Sequence, residues 1–326
     1  MELGLILPKT DATTRTEFAA RADSAGFESV WVGEMWGENA FAHLAEIAKA
    51  TDDVTIGPSI VNVYSRTPAV LAMGAYSLDR ISDHRAVIGV GVSTAKAIET
   101  VHDMALDRPV RRTHETVELM KRFLDGETSS TTYHGEIFQI RNGPSLDADV
   151  PIYNAALGPA NCRATGRVAD GWMPYNIPFQ SLDEAYETIE RTASRNDRDP
   201  DEIAVKPRIN VLIDDDVDAA RDGIRGTVAY YVGSGDGYKN AVGRAYPDEV
   251  ETIASEWRTG NHQNARAAVT DEMCRDLGVF GPTDRVRGRL AELIETTPID
   301  VPVLDIPSQL DDDSIERTYA EVATFA

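Results

Sequence analysis

Val54 to Ser93, VTIGPSIVNVYSRTPAVLAMGAYSLDRISDHRAVIGVGVS, holds one complete structural repeat. Val54 to Val61 is an apolar run that reads as a strand, and Asn62 to Arg66 is a polar turn at its carboxyl end. From Pro68 the apolar residues Val70, Leu71, Gly74 and Leu78 fall at helical spacing, and Ala86 to Val90 is a second apolar strand closed by Gly91-Val92-Ser93. Two buried strands joined by a helix of this length must pair in parallel. The polar residues gather just past the strands.

The same unit repeats along the chain. Glu2 to Leu7 and Ser29 to Gly33 are the first two strands, separated by a helix over Thr14 to Ala25 that Gly26 ends. After the opening stretch come a helix over Arg111 to Leu124, a small hairpin over Tyr133 to Arg141, and strands at Pro151 to Ala155, Gly171 to Met173, Ala204 to Leu212 and Val301 to Ile306. Eight alternations with right-handed crossovers predict one α/β domain, a (β/α)8 TIM barrel over residues 1–326. Residues 214–278 are too long for one helix and its loops, so a helical insertion is expected there, after strand seven. Gly281-Pro282-Thr283-Asp284 is expected to start the last helix before strand eight.

Composition narrows the function. The formal net charge is −22, from 54 acidic and 32 basic residues, of which only six are lysine. Such a chain repels nucleic-acid phosphates. It reads either as a surface for a basic partner or as a solvated acidic coat of the halophilic kind, and the second is the plainer reading. No apolar run is long enough to span a membrane and no basic leader precedes the first strand, so a soluble cytoplasmic protein is expected. Cys162 and Cys274 read as reduced thiols, and the scattered histidines offer no metal site. His43, His102 and His114 fall in helical runs and are read as structural or solvated.

In a barrel, side chains just past the strands' carboxyl ends face the active site. That rule collects Pro8, Glu34 to Trp36, Ser59 to Asn62, Gly91 to Thr94, Leu157 to Ala160, Tyr175 to Asn176 and the region of Asn210. Gly158-Pro159 before a helix is either a phosphate cradle or a plain helix start. Glu34 is either an acid raised by an apolar pocket, able to exchange a proton, or the partner of an arginine such as Arg66. Trp36 either walls a ring-shaped ligand or fills the barrel mouth.

With these positions assembled, AARADSAGFESVWVGE, IGPSIVNVYSRTP, AVIGVG, LDRPVRRTHETVELMKRFLDGE, YHGEIF, PIYNAALGPANCRATGRVADGW and GPTDRVRGRL resemble the luciferase-like barrel superfamily, in particular its branch that uses the deazaflavin coenzyme F420. Within that branch the chain is most similar to the methylenetetrahydromethanopterin reductase family, which shares the spacing of Asn62, Tyr64, Arg66 and Pro68. The resemblance implies a non-prolyl cis peptide at Ser59-Ile60 behind the coenzyme ring, backbone at Gly91 and Val92 passing near it, and Gly158-Pro159 as the phosphate loop. Asn62 and Asn176 join the coenzyme-binding set, Pro8 and Trp36 the substrate-binding set, and Glu34 is the expected catalytic acid.

Two departures accompany the resemblance: Met35 stands where the branch's alcohol and sugar dehydrogenases have a histidine, and Ile6 where the reductase has a glutamate in strand one. The expectation is hydride transfer from reduced F420 to a one-carbon pterin, 5,10-methylenetetrahydrofolate, in a homo-oligomer (dimer or tetramer). The alternatives are an FMN-dependent monooxygenase and a non-catalytic cofactor-binding barrel.

Overall fold

The structure is a computed structural model that describes residues 1–34, 37–126 and 131–326, with the side chain of residue 131 left aside. Eight parallel strands run in cyclic order. The first three are Gly4–Ile6, Ser29–Val32 and Thr55–Pro58, the third resuming at Val61–Asn62. Ile88–Gly91, Ile152–Asn154 and Gly171–Trp172 are the fourth to sixth. The seventh is Ala204–Val205 continued by Arg208–Ile213, and the eighth is Val303–Asp305.

The first strand pairs with both the second and the eighth, Gly4 lying opposite Ser29 and Val303. Two sheets make up the ring, and strands three and seven belong to both. Thr55–Pro58 pairs with strand two while Val61–Asn62 pairs with strand four. Likewise Ala204–Val205 pairs with strand six, and Arg208–Asn210 with strand eight. The sequence reads both as unbroken apolar strands, but each is interrupted. At the third the Ser59–Ile60 peptide bond is cis; at the seventh Pro207 supplies no N–H to a ladder. Gly89 permits the first break, because a Cβ there would lie 2.4 Å from the Pro58 carbonyl oxygen.

Helices cover the outside: α1 (Ala12–Ala25), α2 (Ala40–Ala50), α3 (Pro68–Ile81), α4 (Pro109–Leu124), α5 (Pro159–Val168) and α6 (Leu182–Ser194). Their starts follow local chemistry. Asp11 accepts the Thr14 N–H, and Thr67 accepts the Val70 N–H with Pro68 at the first helical position. The hairpin, Thr131–His134 with Gln139–Gly143, docks on α4 through Glu115, whose carboxylate accepts the backbone N–H groups of Glu136, Ile137 and Phe138 and the Arg111 guanidinium.

After strand seven come α7 (Val217–Ser234), α8 (Asp236–Val242), α9 (Pro247–Arg258), α10 (His262–Ala267) and α11 (Asp271–Leu277). Ile224, Val228, Val232, Ile253, Met273 and Leu277 give them an apolar core of their own. A further feature differs from the sequence reading: Gly278–Gly281 is a parallel strand paired with Asn210–Ile213, ahead of α12 (Thr283–Thr296). The run Gly278-Val279-Phe280-Gly281 is short and glycine-bounded, so its pattern resembles a loop. No helix among the described residues is long and apolar enough to cross a membrane.

Candidate active site

A cleft opens at the carboxyl ends of the strands. Its lining includes Ile6 and Pro8 from strand one and its loop, Glu34 after strand two, and Ser59 and Ile60 at the break in strand three. Ser93 and Thr94 follow strand four, Tyr175 follows strand six, and Arg208 and Asp305 come from strands seven and eight. The insertion contributes Thr227, Tyr231 and Tyr238. Seven residues picked from the sequence therefore meet here: Pro8, Glu34, Ser59, Ile60, Ser93, Thr94 and Tyr175.

Of the two readings of Glu34, an acid in an apolar pocket or the partner of an arginine, the structure shows the second. Arg66 grips it in a fork, Nη1 to Oε1 at 2.6 Å and Nη2 to Oε2 at 2.8 Å, and the Ala40 N–H donates to Oε2 at 2.8 Å. Both oxygens act as acceptors, Oε1 once and Oε2 twice. The ion pair with Arg66 is the arrangement observed. Trp36 and Met35 lie outside the described residues.

Asn62 is not among the cleft-lining residues. Its Oδ1 accepts the N–H groups of Tyr64 and Ser65, and its Nδ2 lies 3.4 Å from His102 Nε2. Its side chain thus builds the turn instead of offering a free amide, and His102, read as remote from the strand ends, touches one. Asn176 is also engaged in protein contacts: in the left-handed region at φ 52°, its Oδ1 accepts from Asn210 Nδ2 at 3.0 Å. Gly91 is buried with Ile60 and Ala155 beside it, and Val92 packs against the core, leaving Ser93 and Thr94 to line the cleft.

Gly158 and Pro159 begin α5 with no side-chain cap, and Arg244 Nη2 donates to the neighbouring Leu157 carbonyl at 2.9 Å. The chain around α8 links this place to the cleft, with Gly235 beside Thr94 and Gly237 beside Leu157. A helix N-terminus next to an arginine favours an anion.

Of the deep wall, sequence reasoning named Tyr175 but missed Arg208, Asp305, Tyr231 and Tyr238. Arg208 Nη2 donates to Asp305 Oδ2 at 2.6 Å, and the guanidinium lies 4.2 Å from the Tyr175 ring centre. Tyr175 and Tyr231 meet edge to face at 4.8 Å, as do Tyr231 and Tyr238 at 5.0 Å. Burial opposes the charge on Arg208, but Asp305 and the tyrosines outweigh it and raise its pKa. Burial first, then Asp305, raises the Tyr175 hydroxyl well above its ordinary value, so it stays a protonated donor, to Asn210 Oδ1 at 2.7 Å. The legible signs were one charge in each of two apolar strands, Arg208 in RINVLI and Asp305 in VLD. Two polar atoms at this cleft, Ser59 Oγ and Arg208 Nε, are buried without a hydrogen-bond partner among the described residues. Ser59 Oγ is an unspent donor of the kind an acceptor-rich heterocycle uses.

Residues 4–300 match the luciferase-like monooxygenase family. The chain belongs to that family. It is 29% identical, over 89% of its length and 91% of the relative's, to a Mycobacterium tuberculosis protein provisionally named a coenzyme F420-dependent oxidoreductase. It is 26% identical to the 5,10-methylenetetrahydromethanopterin reductase of Archaeoglobus fulgidus over 83% of each chain. Its fold matches the coenzyme F420-dependent tetrahydromethanopterin reductase of Methanopyrus kandleri with a TM-score of 0.81, covering 100% of this chain and 99% of that one at 23% identity. That last likeness carries the barrel architecture.

Proposed function

We propose that this luciferase-like protein is a coenzyme F420-dependent oxidoreductase of the methylenetetrahydromethanopterin reductase type, acting on a one-carbon pterin, with 5,10-methylenetetrahydrofolate as the substrate. The observation that carries the reading is the near full-length match to relatives bearing F420 and methylenetetrahydromethanopterin reductase names. The cleft is consistent with a flat heterocycle: Ile60 and Pro8 offer apolar contact, and Ser59 Oγ is an unspent donor.

When bound, reduced F420 supplies the hydride; the protein supplies position and polarity. In this reading Ser59 and Ile60 back the ring, Gly91 and Val92 hold the strand-four loop beside it, and Gly158-Pro159 with Arg244 receives the phosphate. Asn62 and Asn176 shape those loops through the turn and the Asn210 contact they make. Glu34 remains the acid of the site, with Arg66 fixing its orientation, and Pro8 borders the substrate.

The test is a binding and turnover assay in high salt: reduced F420 is consumed on adding the methylene-pterin, and deazaflavin absorbance reports it. Persistent reduced coenzyme with both methylenetetrahydrofolate and methylenetetrahydromethanopterin rejects the substrate class. The family's description as monooxygenases favours one second reading, an FMN enzyme. That reading predicts yellow protein and oxygen consumption.

A further inference from the structure

Strands three and seven stand four places apart in a ring of eight, so they face each other across the barrel, and each contributes to both sheets. Arg208 spans that distance. It sits immediately after the break in strand seven, and its Nη1 donates to the Ser59 carbonyl, inside the break in strand three, at 3.3 Å. Its Nη2 is fixed by Asp305 on strand eight, and its plane rests on Tyr175 at the end of strand six. Tyr231 of α7 and Tyr238 of α8 meet Tyr175 edge to face. One planar, always-charged group thereby joins both breaks in the ring, and only a guanidinium has the fork to reach two acceptors while stacking on a ring.

We propose that Arg208 is a positioning residue: a strut that sets the Ser59-Ile60 wall of the cleft against the opposite side of the barrel, so that the ligand surface is formed before a ligand arrives. Asp305 and the tyrosine trio serve to orient the strut. The proposal takes the identity of the ligand, and nothing else, from the function proposed above. Preorganising a wall in this way lowers the ordering cost of binding.

The experiment compares wild type with Arg208→Lys, which keeps a cation for Asp305 but cannot also stack and reach Ser59. A double variant, Arg208→Gln with Asp305→Asn, leaves no uncompensated carboxylate and guards against misfolding of the single variant. Hydrogen exchange of residues 55–66 should quicken at least about tenfold in both, with α6 unchanged, and affinity for reduced F420 should fall at least about tenfold. Unchanged exchange across residues 55–66, or quickened exchange with wild-type affinity, overturns the proposal. Wild type that binds no F420 rejects the functional reading, and the exchange measurement then decides the strut alone.

Discussion

Glu34 has both oxygens committed, two contacts to Arg66 and one to the Ala40 N–H, so its effect on the reaction is tied to that fork. Replacing it by Gln keeps the shape and removes the charge. Glu34→Gln is expected to lower kcat by about 10-fold or more while the Kd for reduced F420 stays within about twofold; steady-state kinetics beside a fluorescence titration separates the two, and full kcat removes Glu34 from the mechanism. Glu115 is a structural counterpart, an acid with 0% side-chain exposure that accepts from three backbone N–H groups and Arg111. Burial pushes its pKa up, but those bonds outweigh burial and lower it below the ordinary glutamate value. Its contribution to stability is therefore complete above the unfolded-state pKa and is lost as pH falls through the lower folded-state value. Glu115→Gln should cost about 2 kcal/mol at pH 7 and flatten the acid limb of the stability curve, read by denaturant melts from pH 7 to 3. Gly135 adjoins the same carboxylate, and a Cβ there would lie 2.3 Å from Glu115 Oε2. Gly135→Ala should accordingly destabilise the protein by about 1–3 kcal/mol.

Among the elements, α5 makes the sharpest claim, since its N-terminus is uncapped by any side chain and Arg244 lies beside it. If that end receives the coenzyme's phosphate, Arg244→Ala weakens binding of F420 by about 5- to 20-fold, equivalent to about 1–2 kcal/mol, and leaves a phosphate-free deazaflavin unaffected. Equal weakening for both ligands places the phosphate elsewhere. The order of helices and strands was legible because apolar periodicity switches cleanly between 3.6 and 2 and because caps such as Gly26 and Thr67-Pro68 mark the ends. Breaks inside strands three and seven were not legible in that way, since Ile60 and Val61 continue an apolar pattern whichever sheet they join. Gly278–Gly281 escaped for the opposite reason: four residues between glycines carry too little period to declare a strand.

At the scale of the molecule, the sequence rule that strand ends face the site brought Pro8, Glu34, Ser59, Ile60 and Tyr175 together, because in a parallel barrel the side follows from chain direction alone. It could not supply Tyr231 and Tyr238, which reach the cleft from α7 and α8 through packing of the insertion that no local pattern encodes. Nor could it show that Asn62 spends its carbonyl on the turn. The net charge of −22 makes its own prediction, since self-repulsion opposes compaction until salt screens it. Raising KCl from 0.1 to 2 M should lift the Tm by about 5 °C or more; a flat Tm means that the acidic surface carries no salt requirement.

The most direct measurement is a titration of purified protein in high salt with reduced F420 and, separately, with FMN, followed by methylenetetrahydrofolate. The account predicts saturable F420 binding and coenzyme oxidation when the folate is added. Binding of FMN with no binding of F420 would contradict it and place the protein with the flavin-dependent monooxygenases.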